Sequence, residues 1–494
     1  MASIEEIRSE RIKKLEALRA EGINPYPNTA NDTHSIKEAL SQFVELQEKK
    51  EVVTLVGRVL SLRTHGALTF ADIFDGTGKI QVYLKQDEMD ASIYEAFGTY
   101  IDTSDFIEVT GVLFVTKRGQ QSIELKSFRL LAKSLRPMPT EWFGIKDEDE
   151  RYRKRYIDIL LQEHLALQVR RRSVFWNTMR DFLLKRDFIE VETPVLENKT
   201  GGAEARPFIT HHNALDIDLF LRISAGELWQ KKLMVAGLPK TFEIGRIFRN
   251  EGMSYEHLQD YTQIEFYQAY SDFREGMKMV KELYREVAQK TFGTLEFTIG
   301  DFSIDLGAEW VEYDFCSLLK DAYGIDPREV SLEEVRAKLV EIKHKDAGDP
   351  ALSLPRGVDA LWKVLRKSIG GPGFLINVPV YLEPLAKKSE TDARVVERFQ
   401  IILAGSEMGK GFSELNDPLD QQERFLHQES LRNAGDDEAQ MNDTDYVEAL
   451  EYGMPPTFGF GISERLFSFL SNTSVREAQI FPLMRPRNEE EKEN

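Results

Sequence analysis

Three short stretches gather residue types that do chemistry together. The first is FEIGRIFRNEG at 242–252, followed at 261–267 by YTQIEFY. Arg249, Glu251 and Gly252 end a run that is otherwise apolar, although Arg and Glu prefer water to a core. With a period of two, Phe242, Ile244, Arg246 and Phe248 share one face of a strand, and Glu243, Gly245, Ile247 and Arg249 the other. On a returning strand Ile264 and Phe266 face one side, and Gln263, Glu265 and Tyr267 the other. Burying a carboxylate is costly unless it is paired, so this acidic, aromatic face predicts a pocket for a cationic ligand. A solvated sheet face is the competing reading, and the apolar neighbourhood speaks against it.

The second stretch is SEMGKGFSELNDPLDQQERF at 406–425, in which Glu407 and Glu414 stand seven apart. Paired acids beside a phosphate site predict Mg²⁺, a hard ion that takes carboxylates and waters. The third is PTFGFGISERLFSFL at 456–470. Its glycines let backbone approach a flat ligand, and Arg465 opens a helix from which it reaches a polyphosphate. An arginine at each of two places, with two acids for magnesium, is the equipment of phosphoryl or nucleotidyl transfer. No Ser or Cys nucleophile with a paired His is evident, and His257 is either a phosphate contact or a plain loop residue. The sequence has no GxxxxGK[ST], and FGFG at 458–461 lacks a Rossmann context, so a nucleotide must be held in another way.

Composition bounds the rest. The chain has 494 residues, 41% of them apolar and 30% charged, which suits two or more globular domains. A net charge of -19 argues against a non-specific nucleic-acid coat but leaves room for a local basic patch. The one cysteine, Cys316, allows no internal disulfide and no cysteine-rich zinc site. No apolar run approaches the length needed to cross a bilayer, and the start, MASIEEIRSERIKK, lacks the apolar region of a signal peptide. A cytoplasmic protein without a membrane partner is expected.

The elements that position the chemistry follow from periodicity. Residues 3–20 predict a helix with Ile4, Ile7, Ile12, Leu15 and Leu18 on one face, a docking helix within an N-terminal extension over 1–50. A sharper reading gives its basic residues phosphate contacts. Residues 51–135 alternate as five short strands, which predicts a small barrel of the oligonucleotide-binding (OB) type. Arg58, Arg63 and Phe70, with Lys117 and Arg118, are its candidate cations and stacking ring for single-stranded bases. Phe70 fits a core position equally well. A linker over 136–160 enters a long helix at roughly 161–187, with RRR at 170–172. Its end, KRDFIEVETPVL, turns into a strand. The remainder, 161–488, mixes strands and helices, with a polar helical insertion around 320–370. The acidic tail 489–494 is expected to be disordered.

These stretches also carry a resemblance. RYRKRYIDIL, FIEVETPVL with Pro194, GGAEARPF, FEIGRIFRNEG with YTQIEFYQAYSDF, GFSELNDPLDQ, AGDDEA, and YGMPPT through FPLMRP together resemble the class II lysyl-tRNA synthetases, in the aspartate branch. The resemblance spans nearly the whole chain. It implies an α+β fold, with an N-terminal five-stranded OB-type barrel that reads the tRNA anticodon. An antiparallel class II catalytic sheet with flanking helices follows, in a homodimer with Pro194 at the dimer-side motif. It further implies that Arg249 binds the ATP α-phosphate, Glu251 the adenine and Arg465 the γ-phosphate, with His257 and Gly461 also on ATP. Glu407 and Glu414 would hold Mg²⁺. Glu227 would take the α-amino group of L-lysine, and Glu265 and Tyr267 its ε-ammonium, with Lys410 and Phe412 completing the amino-acid site.

Four departures from the family pattern stand out. Lys410 replaces the asparagine of G-N-G, and RISAGE, ending at Glu227, is one residue longer than R-I-A-P-E. The loop 256–261 reads EHLQDY instead of R-H-N-P-E-F, and Ser463 stands near the third glycine of a last motif one residue short. Three rivals are weaker. An aspartate or asparagine enzyme would be hindered by Glu265, and an amino-acid:protein ligase of this class lacks the barrel. A non-catalytic nucleic-acid module leaves all three phosphate-oriented stretches unexplained.

Overall fold

The computed structural model describes residues 3–139, 147–252, 254, 257–433, 435 and 439–487. The acidic tail 489–494 and residues 140–146 of the expected linker lie outside them. The chain divides into two units, Met1–Leu161 and Gln162–Asn494.

In the first unit the alternation of the sequence becomes β1 (Val52–His65), β2 (Leu68–Phe74), β3 (Lys79–Lys85), β4 (Phe106–Val115) and β5 (Gln121–Ala132). Their order is β1-β2-β3-β5-β4, and β4 pairs back onto β1. Alternate residues of β1 from Val53 to Val59 are buried, as one-sided burial of a pleated strand requires. A bulge between Val59 and Ser61 then shifts the register against β2. The extra residue reverses the parity, so Arg63 faces outward with Arg58 and Phe70. The helix Ile4–Ala20 starts on a capping box of Ser3 and Glu6. It buries Arg11, Leu15 and Leu18, whereas Ile4 stays 57% exposed. Its docking is thus carried by the later turns and by a buried guanidinium, which donates to the carbonyls of Ser134 (3.1 Å) and Arg136 (3.2 Å).

The second unit is built on an eight-stranded sheet. Its members in chain order are β6 (Ile189–Glu190), β10 (Lys240–Phe248), β11 (Asp260–Ala269), β14 (Val311–Asp314), β15 (Gly373–Ile376), β16 (Arg398–Leu403), β17 (Ser406–Ser413) and β18 (Thr457–Ser463). The spatial order is β14-β15-β16-β17-β18-β11-β10-β6. The pairs are antiparallel except β14 with β15 and β10 with β6. Smaller sheets are formed by β7 (Leu196–Glu197), β8 (Ile209–His212) and β9 (Ile217–Leu221), and by β12 (Glu296–Ile299) with β13 (Phe302–Asp305).

One face of the large sheet is a phenylalanine layer. Phe242, Phe266, Phe458, Phe460 and Phe399 come from four strands and are all but fully buried. Two helices supply the facing side chains. Glu163–Leu184 contributes Phe175, Met179 and Phe182, and Phe273–Phe292 contributes Val280, Leu283, Tyr284 and Val287, the i, i+3, i+4, i+7 stripe of an amphipathic helix. The opposite face carries Glu265, Tyr267 and Phe412. The stretch 320–370 is helical, with Leu332–Glu341 and Leu354–Leu365, but it is not a polar appendage. Val335, Leu339, Leu361 and Trp362 pack into the second core of this unit. Most of the segment 458–465 is β18, an interior strand, and only Glu464 and Arg465 lie beyond it.

The first unit also contains a buried charge cluster. The Lys133 ammonium contacts Asp102 (2.6 Å), Asp105 (2.7 Å) and the Tyr100 carbonyl (2.6 Å), and both Lys133 and Asp105 side chains are fully enclosed. Removing one partner of such a group leaves the others uncompensated. Lys133→Met is therefore expected to destabilise the first unit by about 3–5 kcal/mol, measured as an earlier first transition when the full chain is unfolded in urea.

Candidate active site

A cavity of about 400 Å³ opens over β11, β17 and β18. All twelve candidate residues of the second unit line it: Glu227, Arg249, Glu251, His257, Glu265, Tyr267, Glu407, Lys410, Phe412, Glu414, Gly461 and Arg465. The strand register explains how. Lys410, Gly461 and Glu265 lie in one row across the sheet, and Phe412, Gly459 and Tyr267 in the next. The glycines of β18 form a floor between two walls. A Cβ on Gly459 would come within 2.0 Å of a Glu414 carboxylate oxygen and 2.5 Å of the Tyr267 ring. Only glycine fits there. In the same strand Phe458 and Phe460 turn into the core, so the FGFG run is one packed face and one empty one.

Three carboxylates share the inner end. Glu265 accepts from the Ala225 N–H (2.8 Å), from Gln263 Nε2 (2.5 Å) and from the Tyr267 hydroxyl (3.0 Å). The unusual RISAGE segment thus supplies a backbone donor to the pocket acid. Burial pushes Glu265 up to about 7, and the nearby charge of Glu227 adds to the shift. Glu414 moves the same way, again chiefly through burial, although Lys231 opposes it. Glu227 begins the helix Glu227–Val235, and its Oε1 lies 2.7 Å from Lys231 Nζ, with Glu414 Oε2 2.5 Å away on the other side. Burial works against the Lys231 charge, yet Glu227 and Glu414 outweigh it and hold its pKa above the ordinary value. Sequence reasoning missed Lys231, although an acid four residues before a lysine on a helix is a recognisable pair.

Glu407 and Glu414, the expected metal pair, stand toward opposite ends of extended chain, which advances about 3.3 Å per residue. Each has its own partner: Trp362 Nε1 donates to Glu407 (2.7 Å), and Lys231 pairs with Glu414. Among the described residues no group of three or more His, Cys, Asp and Glu could hold a metal. Glu414 belongs to the acidic end of the cavity. The backbone carbonyl of Glu407 lies 3.4 Å from Arg465 Nη1, which places this acid beside the arginine end of the cavity. Trp362, in the stretch with least apparent chemistry, is what orients it.

The other end of the cavity is cationic. Arg249 donates to the Ile223 carbonyl (3.3 Å) and lies 5.8 Å from the Tyr261 ring centroid. Gln259 holds the Glu251 carbonyl (3.1 Å), and Ser254 meets His257 Nδ1 (2.7 Å). Arg465 opens the helix Arg465–Leu470, and the preceding Glu464 is buried and paired with Arg172, the last arginine of RRR. Lys410 reaches Glu383 (3.1 Å), which is also bonded to Arg398. Glu243, on the same strand face as Arg249, is cancelled by Arg222 and receives the Thr193 hydroxyl (2.6 Å).

In the first unit Arg58, Arg63 and Phe70 share one outer face. Arg63 pairs with Phe70 across β1 and β2, and its guanidinium holds Asp72 (2.9 Å). Arg58 lies over the Phe106 ring at 4.2 Å. Phe70 is half-buried and continues edge-on through Tyr83 (5.6 Å) to Phe114 (5.1 Å from Tyr83). The sequence showed one stacking ring, and the register reveals three.

A carboxyl raised from 4.5 to about 7 is protonated in the fold where the unfolded chain is ionised. Its contribution to stability is full below the unfolded value and is lost as pH rises through the folded one. The melting temperature of the unliganded protein is therefore expected to fall more steeply from pH about 4.5 to about 7 than that of Glu265→Gln, as followed by thermal denaturation across that window.

Comparison with known proteins agrees with this geometry. Residues 147–485 match the family of tRNA synthetases class II (D, K and N), and residues 53–131 match the OB-fold nucleic acid binding domain. The lysine--tRNA ligase of Thermosipho africanus is 43% identical over 99% of this chain and 98% of its own length. That of Thermotoga maritima is 40% identical over the same shares, and that of a Roseiflexus species 41% over 98% of this chain and all of its own. With an acidic pocket joined to a cationic one on an antiparallel sheet, and a likeness that runs from end to end, the chain belongs to the class II tRNA synthetases, in the family of the lysine--tRNA ligases.

Proposed function

We propose that the chain activates L-lysine with ATP and passes the lysyl group to its tRNA. The observation that carries this is the Glu265–Tyr267 wall beside a glycine floor, with arginines at the far end of the same cavity. Glu265 would receive the ε-ammonium, with Tyr267 and Phe412 around the side chain, and Glu227 the α-ammonium. An uncharged analogue would leave Glu265 buried without a partner, which is where selectivity arises.

The reaction needs no side-chain nucleophile. The lysine carboxylate attacks the α-phosphorus, the bond to pyrophosphate breaks, and lysyl-adenylate remains. The terminal ribose hydroxyl of tRNA then attacks the acyl carbon, and AMP leaves. Both steps rest on positioning and charge neutralisation. Arg249 would bind the α-phosphate and Arg465 the γ-phosphate. Glu251, His257 and Gly461 would border the nucleotide, and Lys410 the carboxylate end. Magnesium, arriving with ATP, would neutralise phosphate charge, with Glu407 as the acid that would hold it.

The outer face of the five-stranded unit, with Arg58, Arg63 and Phe70, would read the anticodon as an OB-type barrel. Ile189 on β6, with Val195 and Leu196 a few residues on, is between 42% and 47% exposed, and exposed apolar side chains of this kind fit a contact with a second copy. We therefore read the chain as a homodimer. Among the described residues no helix is long and apolar enough to cross a membrane, and with tRNA as substrate the cytoplasm is its proposed place.

The test is amino-acid-dependent exchange of pyrophosphate into ATP, run with all twenty amino acids. Exchange is expected with lysine. Glu265→Gln should lower kcat/KM for lysine about a hundredfold, the scale of a lost charge-assisted bond, with little change in the KM for ATP. Unchanged lysine kinetics in that variant would remove Glu265 from the pocket.

A further inference from the structure

The inner end of the cavity contains an ammonium of the protein's own. Lys231 is fully enclosed, with 1% of its side chain exposed. Its Nζ bridges Glu227 (2.7 Å) on its own helix and Glu414 (2.5 Å) at the end of β17. The Phe412 ring centroid is 5.3 Å away and that of Tyr267 6.0 Å. The side chain thus stands in the same acid-and-aromatic surroundings that the pocket offers to a ligand.

We infer that Lys231 is a specificity-determining positioning residue, which sets the charge count of the pocket to that of a diamino acid. This rests on the lysine-pocket reading above. Once ionised, as a bound cation would hold them, Glu227, Glu265 and Glu414 bring three negative charges into one enclosed space, and Lys231 returns one positive charge. Lys410, the next cation along the wall, is engaged with Glu383 (3.1 Å). Two carboxylates remain to be matched, and L-lysine carries two ammonium groups. An amino acid with one ammonium leaves a buried carboxylate uncompensated, which is costly. Without Lys231 the count is three, and no single amino acid of the standard set satisfies it.

The bridge also fixes geometry. A lysine ammonium has three donors and no acceptor, so two acids from different elements are held apart at set rotamers. Glu227 is thereby aimed from the helix start, and Glu414 is kept beneath the Gly459 floor. The raised pKa values of Glu265 and Glu414 agree with an acidic excess in the empty pocket.

The test is a double-mutant cycle with Lys231→Met, Glu414→Gln and the double variant, each assayed by lysine-dependent pyrophosphate exchange. Each single variant should raise the lysine KM at least about tenfold, with the ATP KM within about twofold. The double variant removes one charge of each sign, so its lysine KM should be at least about tenfold below that of either single variant. A double variant no better than Glu414→Gln overturns the inference, and this comparison decides even where Lys231→Met alone does not fold. An unchanged lysine KM in Lys231→Met overturns it too. Glu265→Gln, run beside them, separates the two levels. Normal lysine kinetics there defeat the pocket reading itself, whereas a loss there with Lys231→Met silent defeats only the charge count.

Discussion

Carboxylates crowded into one buried cavity end are the constraint around which the second unit is arranged. Each ionised acid taken from water has to recover several kcal/mol from neighbours. Glu265 recovers part of it from a backbone N–H, an amide and a phenol. Glu227 and Glu414 share Lys231, and Glu243 is closed off by Arg222 and Thr193. What separates these acids is how completely they are satisfied. Glu243 has its cation and lies outside the lining of this cavity, while the group around Lys231 is one sided, and that imbalance is what a cationic ligand can use.

Such an imbalance holds its shape only on a rigid support. The phenylalanine layer under β10, β11, β16 and β18 provides it, because close-packed rings resist displacement and fix the strand register. That register sets the pocket's width. Gly459 and Gly461 lie between Lys410 and Phe412 on one side and Glu265 and Tyr267 on the other, so the slot is one strand wide. The arginines come from the strand's extension and a following helix, at the opposite end of the slot. Amino acid and polyphosphate are thereby directed to opposite ends of one trough, and the reacting atoms meet between them. Positioning of this kind supplies a large share of a barrier's reduction without any covalent help.

Much of this was legible in period-two patterns. The split of Phe266 from Glu265 and Tyr267 needs only the pleat, and the five strands of the first unit show in their alternation and turns. Legibility failed where partners come from distant parts of the chain. Glu407 and Glu414 are close in sequence, but each takes its partner, Trp362 or Lys231, from far along the chain. FGFG looks like a loop because glycine is common in loops, yet here its two phenylalanines hold an interior strand and its glycines clear the floor. Trp362 reached Glu407 from a stretch that seemed polar, since its helix buries one face and shows the other. Arg11 shows the same failure in the first unit, where a charged residue replaced the apolar contact that periodicity suggested. Pairing across long sequence distance has no local signature.

Lys410 shows how the same electrostatic logic absorbs a change. A full charge stands where the family pattern has a neutral amide, at the edge of a pocket that must bind a dication. Left unpaired, it would oppose that binding through the low-dielectric interior. Glu383 prevents this. Its carboxylate is buried; burial would raise its pKa, but Arg398 and Lys410 outweigh that and hold it below the ordinary value. Arg398 in turn gives its other amino group to Gln400 (2.7 Å). The Lys410 charge is therefore paired with Glu383, beside Arg398 and Gln400 of β16. A lysine is tolerated at this position because the wall behind it carries the matching acid.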